Sequence, residues 1–152
     1  MVRLYFPDPI PKVTSSASDD EAGTETKKIN LVLALLRAIH LCAAAEALSL
    51  AKFLNVDLDM YYRLVCDAAG GSAMFRAYAP GMVGIKSVTN GHDGVKGRSL
   101  GEMVSEMVDV VDKAREVNAP LHLGGAVLAV LMGARRRFGE GEGVEGVVRM
   151  WE

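Results

Sequence analysis

From Ile29 to Phe53 the chain is rich in leucine and alanine, has neither glycine nor proline, and is apolar on nearly every face. At about 1.5 Å per residue this stretch predicts a helix roughly 38 Å long. A helix apolar all round belongs in the centre of a fold, with neighbours packed around it. Ala43, Ala44, Ala45, Ala47 and Ala51 would let those neighbours approach closely. Arg37, His40, Glu46 and Lys52 interrupt the stretch, so no membrane span is expected from it.

The remaining elements follow from their stop and start signals. Asn55 closes the long helix and Asp57 is a good N-cap for the next, which is expected to run to about Ala69 with Met60, Tyr61, Leu64 and Val65 inward. Gly70-Gly71 breaks the chain, and Ser72 caps a short helix that Pro80-Gly81 is expected to end. Thr89 to Gly97 reads as a flexible loop. Leu100, Met103, Val104, Met107, Val110, Val111 and Ala114 make one stripe of a further helix, with Glu106, Asp109, Asp112 and Lys113 largely opposite. Asn118 stops it, Pro120 opens a helix from Leu121 to about Phe138, and Val144 to Trp151 makes a last short one. Strand signals are nearly absent. The expected fold is all-α.

Residues 1–26 form a separate case. Leu4-Tyr5-Phe6 suits a short strand or packed tail, and Thr14 to Gly23 is mostly Ser, Asp, Glu and Gly without period, so a mobile linker is expected there. The helical domain is then 27–152. No signal peptide opens the chain, because Met1 to Pro11 holds Pro7, Pro9 and Pro11 rather than an apolar run.

Charge and cysteine usage narrow the function. In 152 residues, 17 basic and 19 acidic side chains leave a net charge of -2, with a pI near 5.9. That balance lacks the basic field a nucleic-acid or acidic-membrane binder needs. Cys42 and Cys66 lie in apolar stretches without metal spacing, which argues against a disulfide scaffold or a zinc site and for a reducing compartment. His92 and His122 have no second ligand at metal spacing, and His40 reads as a partnered core or interface histidine. Arg135, Arg136 and Arg137 could bind phosphate, although cations in a last helical turn also simply complement its dipole. Gly70-Gly71-Ser72 is a turn plus N-cap rather than a phosphate loop. Met74, Met82, Met103, Met107 and Met132 suit core gaps or subunit contacts. No Gly-rich strand-to-helix fingerprint is present, so no dinucleotide site of the chain's own is expected.

Lys27 stands out by position. At the expected start of the long helix a cation opposes the helix dipole by roughly 0.3–1 kcal/mol, which suits a lysine that must release its proton as a general base. Asn30, one turn on, shares its face. A plain solvated helix start explains Lys27 and Lys28 equally.

Taken in order, several stretches carry a resemblance. They are Gly23-Thr-Glu-Thr-Lys27-Lys-Ile-Asn30, Ala45-Glu46-Ala47-Leu48, Val65 through Gly70-Gly-Ser72-Ala-Met-Phe75 with Pro80-Gly81-Met82, Ala114-Arg115-Glu116 through Pro120-Leu121, and Gly143-Val144 to Trp151-Glu152. Together they resemble the C-terminal helical domain of the β-hydroxyacid dehydrogenases, a family that includes 3-hydroxyisobutyrate and threonate dehydrogenases and is related to 6-phosphogluconate dehydrogenase. The resemblance implies a helical bundle around one long central helix, dimerised through that helix. It implies NAD or NADP as cofactor, bound only together with a Rossmann domain supplied in cis or in trans, and no metal. It makes Lys27 the acid/base and Asn30 a substrate-orienting residue. Two positions depart from the family pattern: Leu31 follows Asn30 where Asn or Gln is usual, and Ser105 stands where a lysine lies by the cofactor. Residues 1–11 would be at most the remnant of a Rossmann domain's last strand.

Two functions follow as expectations. One is the substrate and dimerisation domain of an NAD(P)-dependent 3-hydroxyacid oxidoreductase, inactive by itself. The other is a catalytically silent self-association module. A cytoplasmic location is expected, or a mitochondrial one for a longer chain.

Overall fold

The computed structural model describes residues 19–85 and 97–152. Five α-helices and one 3-10 helix make up the described fold: α1 (Asp19–Phe53), α2 (Leu58–Asp67), α3 (Ala73–Val83), α4 (Leu100–Glu116), α5 (His122–Phe138) and the C-terminal 3-10 helix (Val144–Trp151). Among the described residues no strand forms, and the sole ladder contact is an isolated bridge between Ser99 and Gly143. The all-α expectation holds. The loop expected at Thr89 to Gly97 and the start of the expected linker lie outside the described residues.

α1 packs against every other element. Its contact stripe is Ala34, Ala38, Leu41, Ala45 and Leu48, all buried, at alternating spacings of four and three. Alanine and leucine on this stripe let the shorter helices approach and still fill the core with Phe75, Leu100, Met103, Met107, Leu131, Val144 and Val147. Gly124 brings α5 against Leu35, where a Cβ would meet the leucine's Cδ1 at 3.1 Å. By length and mean hydropathy (1.9) the stretch Gly23–Phe53 does meet the requirements for a membrane-crossing helix, against the sequence expectation. In this fold its alanine stripe is instead the spine of the bundle.

Three helices end alike. Asn55 (φ 56°), Gly84 (φ 70°) and Asn118 (φ 53°) adopt the left-handed conformation, and the following N–H groups reach back to Ala51, Pro80 and Ala114 oxygens at 3.0, 3.0 and 2.8 Å. These contacts satisfy carbonyls that the last helical turn leaves open. At the starts, Asp57 and Ser72 cap α2 and α3 as expected, and Ser99 with Glu102 forms a reciprocal capping box on α4. The turn 139–143 adds further acceptors there: Leu100 N–H donates to Glu142 O at 2.7 Å and Gly101 N–H to Glu140 O at 3.0 Å.

Four details correct the sequence reading. α1 starts at Asp19, not near Lys27, so residues 19–23 are helical rather than linker. α2 turns Tyr61, Tyr62, Val65 and Cys66 inward, while Met60 and Leu64 stay 54% and 63% exposed. α3 continues through Pro80 to Val83, and the last element is 3-10 rather than α. Finally, α1 is wrapped over only part of its length. Ile29, Val32, Leu33 and Leu36 remain exposed at its first half, as do Leu50, Phe53 and Leu54 at its end.

Candidate functional site

The core stripe of α1 runs on past the bundle. Counting back from Leu48 in the same spacing, it passes Ala45, Leu41, Ala38 and Ala34, then the half-buried Leu31, and ends at the exposed Lys27. Burial along this stripe fades from Ala34, which is packed in the bundle, through the half-buried Leu31. Lys27 lies seven residues before Ala34, about 10 Å along the axis. From Gly23 to Leu33 every residue but Leu31 is exposed. The line of the core stripe therefore leaves the bundle between Ala34 and Lys27, and before Leu31 it is exposed.

Lys27 and Asn30 share this bare end, one turn apart. The structure brings these two together as the sequence spacing implied. It removes the reason first given for Lys27, however. The lysine sits eight residues inside α1, beyond the first turn to which the dipole effect is confined. Lys28 pairs with Glu25 at 3.3 Å on the solvent side.

Ser105 is not part of this pair. It is exposed on α4 next to Glu106, whose carboxylate accepts from Arg37 of α1 at 3.1 Å. Arg37 is ten residues past Lys27, so this contact between α1 and α4 starts from a residue roughly 15 Å down the helix from the lysine. Arg98, just before α4, also donates to Glu106. Glu106 was expected on the solvent face; it is instead half-buried and clasped by two guanidinium groups, of which Arg37 ties α4 to α1. Tyr78 lies beneath them with its ring system buried, and burial, with Glu145 nearby, pushes its hydroxyl above the ordinary tyrosine range against the opposing pull of Arg98 and Arg37. The pairing of Arg37 with Glu106, 69 residues apart, has no sequence signature. The Ser99-x-x-Glu102 box does have one and was legible.

The other candidates resolve individually. Cys42 and Cys66 are free thiols, the first buried. His40 and His122 are exposed, and His92 lies outside the described residues. Among the described residues no group of three or more His, Cys, Asp or Glu is placed to hold a metal ion. The arginines at the end of α5 diverge. Arg135 faces Glu140 at 3.7 Å, across an open depression of about 530 Å³ that Met132 and Arg136 also line. Arg137 lies over the Phe138 ring at 5.3 Å. Arg135 and Arg136 share one depression in which Glu140 already faces Arg135, and Arg137 does not line it.

The sequence pattern of the family described as NAD-binding of NADP-dependent 3-hydroxyisobutyrate dehydrogenase matches residues 22–151. An L-threonate dehydrogenase of Cupriavidus necator is 31% identical over 130 residues, covering 86% of this chain and 40% of the relative. One of Haemophilus influenzae is 31% identical over 102 residues, 67% of this chain and 32% of the relative. The chain thus spans well under half the length of these relatives. Among solved structures, a 3-hydroxyisobutyrate dehydrogenase of Salmonella typhimurium superposes with a TM-score of 0.69 at 27% identity, over 81% of this chain and 41% of that one. A 3-hydroxyisobutyrate dehydrogenase of Mycobacterium tuberculosis shares the fold, with a TM-score of 0.66 at 16% identity over 81% of this chain and 42% of that one. The shared helical fold and a family match over residues 22–151 give one conclusion: the chain belongs to the NADP-dependent 3-hydroxyisobutyrate dehydrogenase family.

Proposed function

We propose that this chain is the helical half of an NAD(P)-dependent dehydrogenase that oxidises a short 3-hydroxy acid of the threonate or 3-hydroxyisobutyrate type. The observation that carries the reading is the exposed first half of α1, an apolar helix that carries Lys27 and Asn30 there. Such a stretch needs a cover. In this reading the cover is a nucleotide-binding domain, in cis or in trans, with the substrate held between the two.

A bound nicotinamide dinucleotide supplies the hydride acceptor. The chain's own residues do the rest. Lys27 takes the substrate hydroxyl proton at Nζ while hydride leaves the same carbon, and the Asn30 amide holds the substrate's oxygen atoms in register. Leu31 adds no hydrogen bond, and Ser105 contributes no charge beside the cofactor. The fit is one-sided: the family's description is of NAD binding, whereas the glycine-rich turn Gly139-Glu140-Gly141-Glu142-Gly143 carries two carboxylates that oppose a pyrophosphate. No metal enters the proposed chemistry. Nucleic acid and membrane are not partners in it, and the cytoplasm is the proposed location.

The experiment is a chimera with a relative's nucleotide-binding domain fused ahead of Gly23. Weak dehydrogenation of L-threonate or 3-hydroxyisobutyrate is expected, abolished by Lys27→Ala and little changed by Lys28→Ala. Equal activity with and without Lys27 removes it from the mechanism. The 152-residue chain alone is expected to turn over neither acid, since hydride transfer needs the reacting atoms held within about 3–3.5 Å.

A second reading rests on exposed Ile29, Val32, Leu33 and Leu36. Their grouping on one helix also suits a homodimer formed through α1, with or without catalysis. Sedimentation at tens of micromolar decides this: a dimer supports the reading, and a monomer refutes it.

A further inference from the structure

At the opposite end of α1 from Lys27, about 38 Å along the axis, a cavity of about 160 Å³ lies between α1, α3 and the C-terminal 3-10 helix. Leu48, Leu58, Met82, Val83 and Val148 supply its apolar lining, and Ser49, Lys52 and Glu152 its polar lining. Ser49 is a polar residue buried to 4% exposure, and its hydroxyl donates one long hydrogen bond of 3.4 Å to Trp151 O. Lys52, one turn on along the same face, holds the Glu152 carboxylate at 2.7 Å. The space is thus lined by apolar side chains, a buried hydroxyl and an exposed ammonium group that already holds a carboxylate.

We propose that this cavity binds a short aliphatic monocarboxylate of about four carbons, whose carboxylate takes Lys52 from Glu152 while its chain fills the space against Met82. Size sets the chain length. At about 30 Å³ per water, the volume equals some five waters, close to the six non-hydrogen atoms of butyrate. Charge sets the head group, because Lys52 is the cation lining the space and it already holds a carboxylate, that of Glu152. Glu152 acts as a tethered competitor that covers the site without filling it. This inference does not depend on the dehydrogenase reading, since none of its residues belongs to the bare end of α1.

The test uses the 152-residue chain with carbon-13 methionine methyls and titrates butyrate at constant ionic strength up to about 100 mM, a range that detects affinities of millimolar order. The Met82 methyl is expected to shift saturably and the Met132 methyl, exposed on α5, to stay put. Lys52→Gln should weaken butyrate about tenfold, because a charge-assisted contact is lost. Glu152→Gln should tighten it about threefold, because the competing internal carboxylate is gone and more of the protein is competent to bind. 1-Butanol, which has the chain without the charge, should bind more weakly and respond to neither variant. A silent Met82 methyl, butanol binding as tightly as butyrate, or both variants moving affinity in the same direction would overturn the proposal. The last of these is what a purely structural latch between Lys52 and Glu152 would give.

Discussion

The Tyr62 hydroxyl donates a hydrogen bond of 3.2 Å to the carbonyl oxygen of Arg76, the oxygen that Pro80 deprives of its helical partner. A proline inside a helix has no N–H for the carbonyl four residues back. α3 survives because α2 supplies the missing donor from outside. The Tyr62 ring is held for this by stacking on Phe75 at 5.8 Å. Tyr62→Phe should therefore cost about 1–2 kcal/mol, more than a solvent-facing hydroxyl would. Pro80→Ala restores the helical N–H, so Tyr62→Phe should cost less in that background. A urea double-mutant cycle showing strict additivity would refute the link.

Gly71 is fixed by space rather than by its backbone angle. A Cβ there would lie 2.4 Å from Val65 O, an atom of the preceding helix that cannot swing away. Gly71→Ala should lower stability by about 1–3 kcal/mol, whereas Gly70→Ala, with open space around it, should cost less than half as much. Thermal melts of the two variants side by side decide this. Equal shifts would contradict it.

Burial pushes the Cys42 thiol up from 9.0 to about 12, with a smaller push from Glu46. The unfolded chain releases this proton at lower pH than the folded one, so folding is favoured fully below pH about 9 and loses ground as pH rises towards 12. At about 1.4 kcal/mol per unit the loss is of the order of 4 kcal/mol over the window. Tyr62 and Tyr78, raised chiefly by their burial, act in the same direction. Cys42→Ala should flatten the decline in denaturant stability above pH 9, whatever it does to stability at pH 7. An unchanged slope would show that Cys42 does not titrate in this window.

Glu106 holds two arginines from two segments, with all three side chains about a third exposed. Solvent screening keeps such a network modest, and Glu106→Gln should cost about 1 kcal/mol. Glu25→Gln, which breaks an open pair with Lys28 on a single helix, should cost nearly nothing. The Glu106 effect should also shrink at high salt. A difference between the two that salt leaves untouched would point to lost packing instead.

Local chemistry determined the elements. Asp57, Ser72, Asn55 and Asn118 mark helix ends through bonds made within a few residues, and the stripe from Leu100 to Val110 follows from period alone. These features were legible because their partners are close in sequence. The family, too, was legible, from short motifs in order along α1 to α5. What the tertiary structure decided involves distance along the chain. Pro80 looked like a stop until a hydroxyl eighteen residues earlier arrived to replace its donor. Glu106 looked solvent-facing until Arg37 crossed from α1. α1 looked wrapped all round, but from Gly23 to Leu33 every residue except the half-buried Leu31 is exposed, because the packed neighbours of the stripe end near Ala34. That early end of packing, invisible in the hydrophobic pattern, leaves Lys27 and Asn30 exposed, and the longer α1 moves the lysine away from the helix end that first drew attention to it. Sequence period determines which side of a helix seeks burial; only the packed neighbours decide how far along that side burial extends.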